Sequence, residues 1–185
     1  MSQLKTVNNA AFKTTLHINA GRLKQFCWYF TNVLFFKNSL NISSGLKVFL
    51  LKLFGANIGT GVVIKPCVNI KFPWKLSIGN HSWIGEEVWI DNLSEVLIGN
   101  NVTVSQGVLI LTGGHDHSKE TFDFISLPVA LEDGVWIGAR AVVYGGVTCY
   151  THSILGISAV AENNLNPYTI YKGNPAVPVL KRSVN

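Results

Sequence analysis

Aliphatic residues recur along the chain with a period of six. From Ile58 the steps run Ile58, Ile64, Ile70; a step of eight leads to Ile78, Ile84, Ile90, and another to Ile98, Val104, Ile110. After an interruption the pattern resumes at Leu131, Ile137, Val143, Cys149, Leu155, Ala161. Thirteen of these 15 positions are Ile, Val or Leu, which together make up 54 of 185 residues, so chance gives about 4. The next residue is often glycine: Gly59, Gly79, Gly85, Gly99, Gly138, Gly156. Four after the aliphatic stands a small or β-branched residue, among them Val62, Ser82, Val102, Ala141 and Ser153. A helix repeats near 3.6 and a lone strand at 2, so a period of six predicts a short strand and a turn, repeated. Three such sides close a triangle. The steps of eight fall once in three hexads and put two extra residues at one corner. The expected class is all-β, a parallel β-helix of about five triangular coils with the aliphatics inside and the glycines at corners that need positive φ.

Before the repeats the period changes. Leu23, Phe26, Cys27, Phe30, Val33 and Leu34 fit helical spacing, as do Leu46, Phe49, Leu50, Leu53 and Phe54, with a break at residues 43–45. The apolar runs at 26–36 and 48–54 are short of the roughly 20 residues a spanning helix needs. The first 20 residues lack the apolar core of a signal peptide.

Charge separates the same two regions. Residues 1–55 carry seven cations (Lys5, Lys13, Arg22, Lys24, Lys37, Lys47, Lys52) and no anion, whereas residues 56–185 carry eight cations and ten anions. The repeats therefore have no basic patch of the kind nucleic acid requires. With 48% hydrophobic and 14% charged residues, global disorder is excluded. Three cysteines (Cys27, Cys67, Cys149) with no metal-type spacing fit a reducing compartment.

The hexads resemble those of the hexapeptide-repeat acyltransferases. The closing PYTIYKGNPA at 167–176 resembles that family's end motif, and within the family residues 82–92 (SWIGEEVWIDN), 106–116 and 127–141 are similar to the colanic-acid and exopolysaccharide O-acetyltransferase branch. The resemblance implies a left-handed parallel β-helix, a hand that periodicity does not decide. It also implies acetyl-CoA as co-substrate without a metal, a saccharide acceptor (free, nucleotide-linked or lipid-linked), a homotrimer and a cytoplasmic location. The chain then divides into a basic, amphipathic helical arm (1–55), a hexapeptide-repeat catalytic domain (56–176) and a C-terminal tail (177–185).

Residues 112–128 interrupt the hexads after the third coil, and a long excursion from a strict repeat marks function. It opens Thr-Gly-Gly-His-Asp-His. Transfer of an acetyl group to a hydroxyl needs a base near neutral pH, and the resemblance places it at His115. Asp116 and His117 are candidates for support, Asp116 by holding the imidazole tautomer and His117 by orienting substrate. On the second coil Glu86, Asp91 and Asn92, beside Glu87, form an acidic cluster that is either a solvated face or a set of sugar contacts. In the galactoside and maltose acetyltransferase branch an Asn serves the acceptor where this chain has Gly85 and Glu86. The resemblance assigns Trp136, Gly138, Ala139, Gly156 and Ile157 to the pantetheine groove. Lys172, Lys181 and Arg182 are candidates for the coenzyme phosphates or form a solvated basic end. The fifth coil departs from the usual Ile-Gly, reading Cys149-Tyr150-Thr151-His152.

Two alternatives stand beside this reading. A γ-carbonic-anhydrase-like enzyme would need three converging imidazoles; His81, His115 and His117 are available, but the pair spaced five apart on a coil is absent. The other alternative is a non-catalytic scaffold. For the arm, one reading has its helices pack on the β-helix, and the other has a basic amphipathic segment meet anionic lipid.

Overall fold

All 15 register positions, Ile58 to Ala161, are buried in the computed structural model, which describes residues 6–184. Each sits in a strand of two or three residues. Coil one is β1 (Asn57–Ile58), β2 (Val63–Ile64) and β3 (Asn69–Ile70). Coil two is β4 (Leu76–Ile78), β5 (Trp83–Ile84) and β6 (Trp89–Asp91); coil three is β7 (Val96–Ile98), β8 (Thr103–Val104) and β9 (Leu109–Leu111). The interruption supplies β10 (Gly113–His115) and β11 (Phe124–Ser126). Coil four is β12 (Val129–Leu131), β13 (Trp136–Ile137) and β14 (Val142–Tyr144); coil five is β15 (Thr148–Cys149), β16 (Ile154–Leu155) and β17 (Val160–Ala161). Like sides pair in parallel, giving three sheets, β1-β4-β7-β12-β15, β2-β5-β8-β13-β16 and β3-β6-β9-β14-β17. Ile58, Ile78, Ile98, Leu131 and Cys149 are in register, so one column of side chains runs through the stack. Burial in that column pushes the Cys149 thiol up to about 12, leaving it neutral.

A partial sixth coil follows. Leu165 bridges Cys149, and β18 (Thr169–Lys172) pairs with β16. Residues 177–185, expected as a tail, contain instead β19 (Val177–Lys181), which folds back antiparallel on β18.

The glycine expectation is corrected. None of Gly59, Gly79, Gly85, Gly99, Gly138 or Gly156 has positive φ. Their constraint is space: a Cβ on Gly138 would lie 2.7 Å from the amide nitrogen of Ile157 on the next coil. The left-handed conformation falls two residues later, at Gly61, Cys67, His81, Glu87, Asn101, Gly107, Gly134, Arg140, Gly146, His152 and Ser158. Most of these are not glycine. Between the two positions stands a polar ladder. The Thr60 amide donates to Asn80 Oδ1 (2.9 Å), the Asn80 amide to Asn100 Oδ1 (2.8 Å) and the Asn100 amide to Asp133 Oδ1 (2.7 Å).

The arm packs on this frame. α1 (Arg22–Thr31) continues into a π-helical turn, Asn32–Phe36, and lies against the third side of the prism. Trp28 is buried there and donates its indole N–H to the Ile70 carbonyl at 2.9 Å. α2 (Ser44–Leu53), capped by Ser43, lies over the first coil with Leu51 buried. Lys47 is buried too; its ammonium donates to the carbonyls of Asn41 (2.8 Å) and Lys65 (2.9 Å), and burial lowers its pKa. Lys5 lies outside the described residues. The outer flank of α1 and its continuation stays in solvent, with Leu23, Phe26, Tyr29, Phe30 and Leu34 exposed.

Candidate active site

The interruption is a hairpin rather than a loop without secondary structure. β10 and β11 pair antiparallel with Gly113 opposite Ser126 and His115 opposite Phe124. At Gly113 a Cβ would meet the terminal methyl of the Leu93 side chain, which would have to move aside; at Gly114 there is room. The tip is held by its own side chains. Asp116 accepts from the Ser118 hydroxyl (2.6 Å) and amide (3.0 Å), and Asp123 accepts from Thr121 (2.7 Å) and Lys119 (2.9 Å). The Ser118 bonds hold the Asp116 carboxyl below its ordinary range, and the Thr121 and Lys119 bonds do the same for Asp123.

His115 stands at the end of β10, exposed, with its ring stacked on Phe122 at 4.4 Å and 4°. Its Nδ1 is 2.9 Å from the Phe122 carbonyl oxygen. A carbonyl only accepts, so Nδ1 carries the proton and Nε2 is left as the basic nitrogen of the neutral ring. This corrects the expectation for Asp116: a main-chain carbonyl orients the imidazole, while the Asp116 carboxylate is turned to Ser118. His117 is exposed, and no hydrogen bond ties it to His115. Phe12 of the arm stands 5.5 Å from the His115 ring, and the Asn8 amide donates to the Glu120 carbonyl (2.8 Å). Sequence reading missed this strap, because residues 8–12 carry no periodicity that ties them to the hairpin.

The second-coil cluster divides. Asn92 is fully buried and forms a two-way clamp on Phe72, accepting from its amide (2.9 Å) and donating to its carbonyl (2.6 Å). Expected as a sugar contact, it is committed to the corner of the coil below. Asp91 is buried at the end of β6, with Lys71 Nζ 2.9 Å away. Glu86 is exposed at the corner after β5, one corner away from Asp91, in a cleft with Trp83 and Gln106. One chain therefore does not bring Glu86 to His115.

Trp136 lies on the second side of coil four, donating its indole N–H to Ser105 at 2.9 Å. Gly138 and Gly156 stack at the next corner, with Ala139 half-buried and Ile157 exposed beside them. Lys172 is exposed at the end of β18, and Lys181 donates to Thr169 (3.0 Å). Arg182 is partly committed, donating to the carbonyls of Gly134 (2.8 Å) and His152 (3.2 Å). Among the described residues no group of three or more His, Cys, Asp or Glu side chains is placed to hold a metal ion. His81 sits at a left-handed corner against Gly61, away from the hairpin.

No family model matches the chain. The Escherichia coli (strain K12) protein named as the colanic acid biosynthesis acetyltransferase WcaF is 33% identical over 160 residues, 86% of this chain and 88% of its own length. The chain belongs to the hexapeptide-repeat acetyltransferase family. The galactoside O-acetyltransferase of the same organism is 25% identical over 129 residues, 68% of this chain and 64% of its own. Among solved structures, a hexapeptide-repeat acetyltransferase from Vibrio cholerae superposes with a TM-score of 0.73 at 23% identity, over 79% of this chain and 85% of that one. A galactoside acetyltransferase in complex with coenzyme A has a TM-score of 0.69 at 22% identity, over 87% and 82% of the two chains. For this acetyltransferase the likenesses carry the β-helix, and its own geometry carries the tautomer of His115. No helix among the described residues is long and apolar enough to cross a membrane.

Proposed function

We propose that this acetyltransferase moves the acetyl group of acetyl-CoA to a hydroxyl of a saccharide in the making of an exopolysaccharide or other surface polysaccharide. The carrying observation is the Phe122 carbonyl on His115 Nδ1, which leaves Nε2 free to take a proton. The acceptor oxygen attacks the thioester carbon as its proton passes to Nε2. The tetrahedral adduct collapses, the C–S bond breaks, and the thiolate takes the proton from the imidazolium. Transfer is direct, with no acetyl-enzyme: Cys149 is sealed in the core, and Cys27 and Cys67 lie on α1 and at a corner of the first coil, not on the hairpin that carries His115. Donors for the oxyanion are main-chain N–H groups along a coil edge, and Trp136, Gly138, Ala139, Gly156 and Ile157 line the coenzyme groove, with Lys172 and Lys181 toward its phosphates.

Product analysis with acetyl-CoA and a panel of nucleotide-linked and lipid-linked saccharides tests this reading. His115→Ala should lower turnover by roughly 10²–10⁴-fold with the fold intact. Turnover within tenfold of wild type would remove His115 from the chemistry.

The working unit in this reading is a cytoplasmic homotrimer, with the exposed Trp83, Trp89 and Trp136 at or near its contacts. The arm then rests on the inner membrane face, where lipid-linked saccharides are built. Arg22, Lys37 and Lys52 are exposed beside the apolar flank of α1 and α2, and no anion of the arm offsets them. Each cation near an anionic surface contributes about 1 kcal/mol, screened by salt. The protein should sediment with anionic vesicles at low salt and leave them at high salt. Indifference to such vesicles would make the arm structural only, and light scattering of the same preparation checks the trimer.

A further inference from the structure

His115 ends a strand of three residues in a two-stranded hairpin and is itself exposed. A hairpin of that size is marginal by itself in water. The bond from Nδ1 to the Phe122 carbonyl and the parallel Phe122 ring both come from this same hairpin. An exposed side chain has several χ1 wells and a ring with a broad χ2, so these contacts alone leave other rotamers open. A second support arrives from the N-terminal side of the chain. The Ile18 carbonyl accepts from the Trp74 indole and the His17 carbonyl from the Lys75 ammonium, each at 2.6 Å. These bonds fix one end of a strap to the 3₁₀ turn Pro73–Lys75, just before β4. The other end is fixed to the hairpin tip, where the Asn8 amide donates to the Glu120 carbonyl (2.8 Å). A 3₁₀ turn, Asn9–Ala11, follows, capped by Asn8 Oδ1, which accepts from the Ala10 amide (3.2 Å). Phe12 comes next, its ring 5.5 Å from the His115 ring and tilted by 54°. Phe12 is 37% exposed and no residue of the turn is buried, so the strap adds little to the core.

We propose that Phe12 is a positioning residue for the base: through it the strap braces the His115 ring against Phe122, with Nδ1 on the carbonyl and Nε2 left open. The imidazole has three aromatic neighbours, Phe122 face to face, Phe12 tilted and Phe124 edge-on at 6.1 Å. Phe122 and Phe124 move with the hairpin. Phe12 does not, because Trp74 and Lys75 tie its strap to the prism. The brace therefore holds the ring in one rotamer while the hairpin fluctuates. A base held in one geometry loses no time in unproductive rotamers, so removal of the brace lowers kcat and leaves binding alone. Phe12 takes no part in proton transfer and acts through His115. The inference rests on His115 being the base.

The test has two readouts on the full chain. Histidine-labelled protein at about pH 8.5, where an ordinary imidazole is neutral, reports the tautomer through its ring nitrogen shifts. The His115 signals are those lost in His115→Ala. In the wild type Nδ1 should carry the proton. Phe12→Ala changes an exposed side chain and leaves the fold intact; its His115 shifts should move toward a mixture of the two tautomers. With acetyl-CoA and whichever saccharide of the panel is acetylated, kcat should fall roughly tenfold, inside the ~10² of a 1 Å misplacement, with both KM values unchanged. Phe12→Tyr keeps the ring and should restore both readouts. Asn8→Pro removes the amide that meets Glu120 and should act in the same direction. Adding Phe12→Ala to it should cost no more than Phe12→Ala alone. An unchanged tautomer in Phe12→Ala overturns the brace whether or not an acceptor is known. A raised acceptor KM with kcat held overturns it as well, because Phe12 is then a wall of the substrate site. Equal losses in Phe12→Tyr and Phe12→Ala do the same, because the ring is then not what holds the imidazole. The base reading fails separately: turnover in His115→Ala within tenfold of wild type removes the base, whereas the tautomer of Phe12→Ala is read without any turnover.

Discussion

The β-helix and the arm bury their apolar residues by opposite rules. In the β-helix every register aliphatic is inside, and each coil presents the next with an identical face, so burial is complete once coils stack. In the arm, burial depends on a few anchors. Trp28, Phe36, Leu51 and the Lys47 ammonium fix the two helices to the prism, while Leu23 is 75% exposed and Phe26 61%. The difference teaches what kind of pressure each region records. A solenoid side that faces itself needs only shape, whereas an amphipathic helix seated on one side by its polar and aromatic anchors leaves its apolar flank for something else.

The largest effect that breaks this comparison is at the anchor. Trp28→Ala should cost about 3–5 kcal/mol, as a buried large aromatic does, because it also strands the Ile70 carbonyl. Phe26→Ala, two residues away on the open flank, should cost at most about 0.5 kcal/mol. It should nevertheless weaken vesicle sedimentation. Urea midpoints of the two variants measure the contrast, and equal losses would mean the flank of α1 is packed against something in solution.

Within the β-helix the sharper contrast lies inside one corner. Gly138→Ala pushes a methyl against the backbone of the next coil, and overpacking of this kind costs roughly 1–3 kcal/mol. Ser158→Gly, at a left-handed position on that next coil, should change stability by less than about 1 kcal/mol, because relief of the left-handed strain is offset by the greater freedom of glycine when unfolded. Thermal melts of the two variants should therefore separate clearly.

That corner also marks how far the sequence was legible. Period six located all 15 register side chains and the break at 112–128, because a solenoid repeats its environment and so repeats its residues; it did not locate Leu76, Val96 and Val129, which are buried two residues before the register position of their strands. It assigned the wrong cause to the glycines, since Gly recurs at the crowded position and the left-handed position tolerates Cys67, His81, Glu87 and Arg140 alike. His115 was legible from its place in the interruption. Its partner was not, because a main-chain carbonyl at Phe122 leaves no residue-type signal. Asn92 misled for the opposite reason: an amide that clamps a neighbouring coil has the same one-letter code as one that meets a sugar. Residues 177–181 and the strap at 8–12 pair through backbone groups and side chains far apart in sequence, which no local pattern reports.

The smallest predicted effect separates the two regions by pH. The arm has no carboxylate, so acid acts on the coils and the hairpin. Asp133 ends the polar ladder, and its carboxyl is held below the ordinary carboxylate range by the Asn100 amide N–H first and the Asn100 side chain second. A depressed folded pKa means the folded state holds the proton less tightly than the unfolded chain, whose value is about 3.9. The stabilisation is thus fully present above that value and is lost as pH falls through the folded pKa. Asp133→Asn keeps an oxygen acceptor for the Asn100 amide, continuing the pattern of Asn80 and Asn100, but has no proton to bind in this range. The melting temperature of the wild type should therefore fall more steeply than that of Asp133→Asn between about pH 4 and pH 2. Parallel curves would place the acid sensitivity in Asp116 and Asp123 at the hairpin tip, whose carboxyls are depressed in the same direction. The corresponding double variant would then flatten the profile while leaving the ladder untouched.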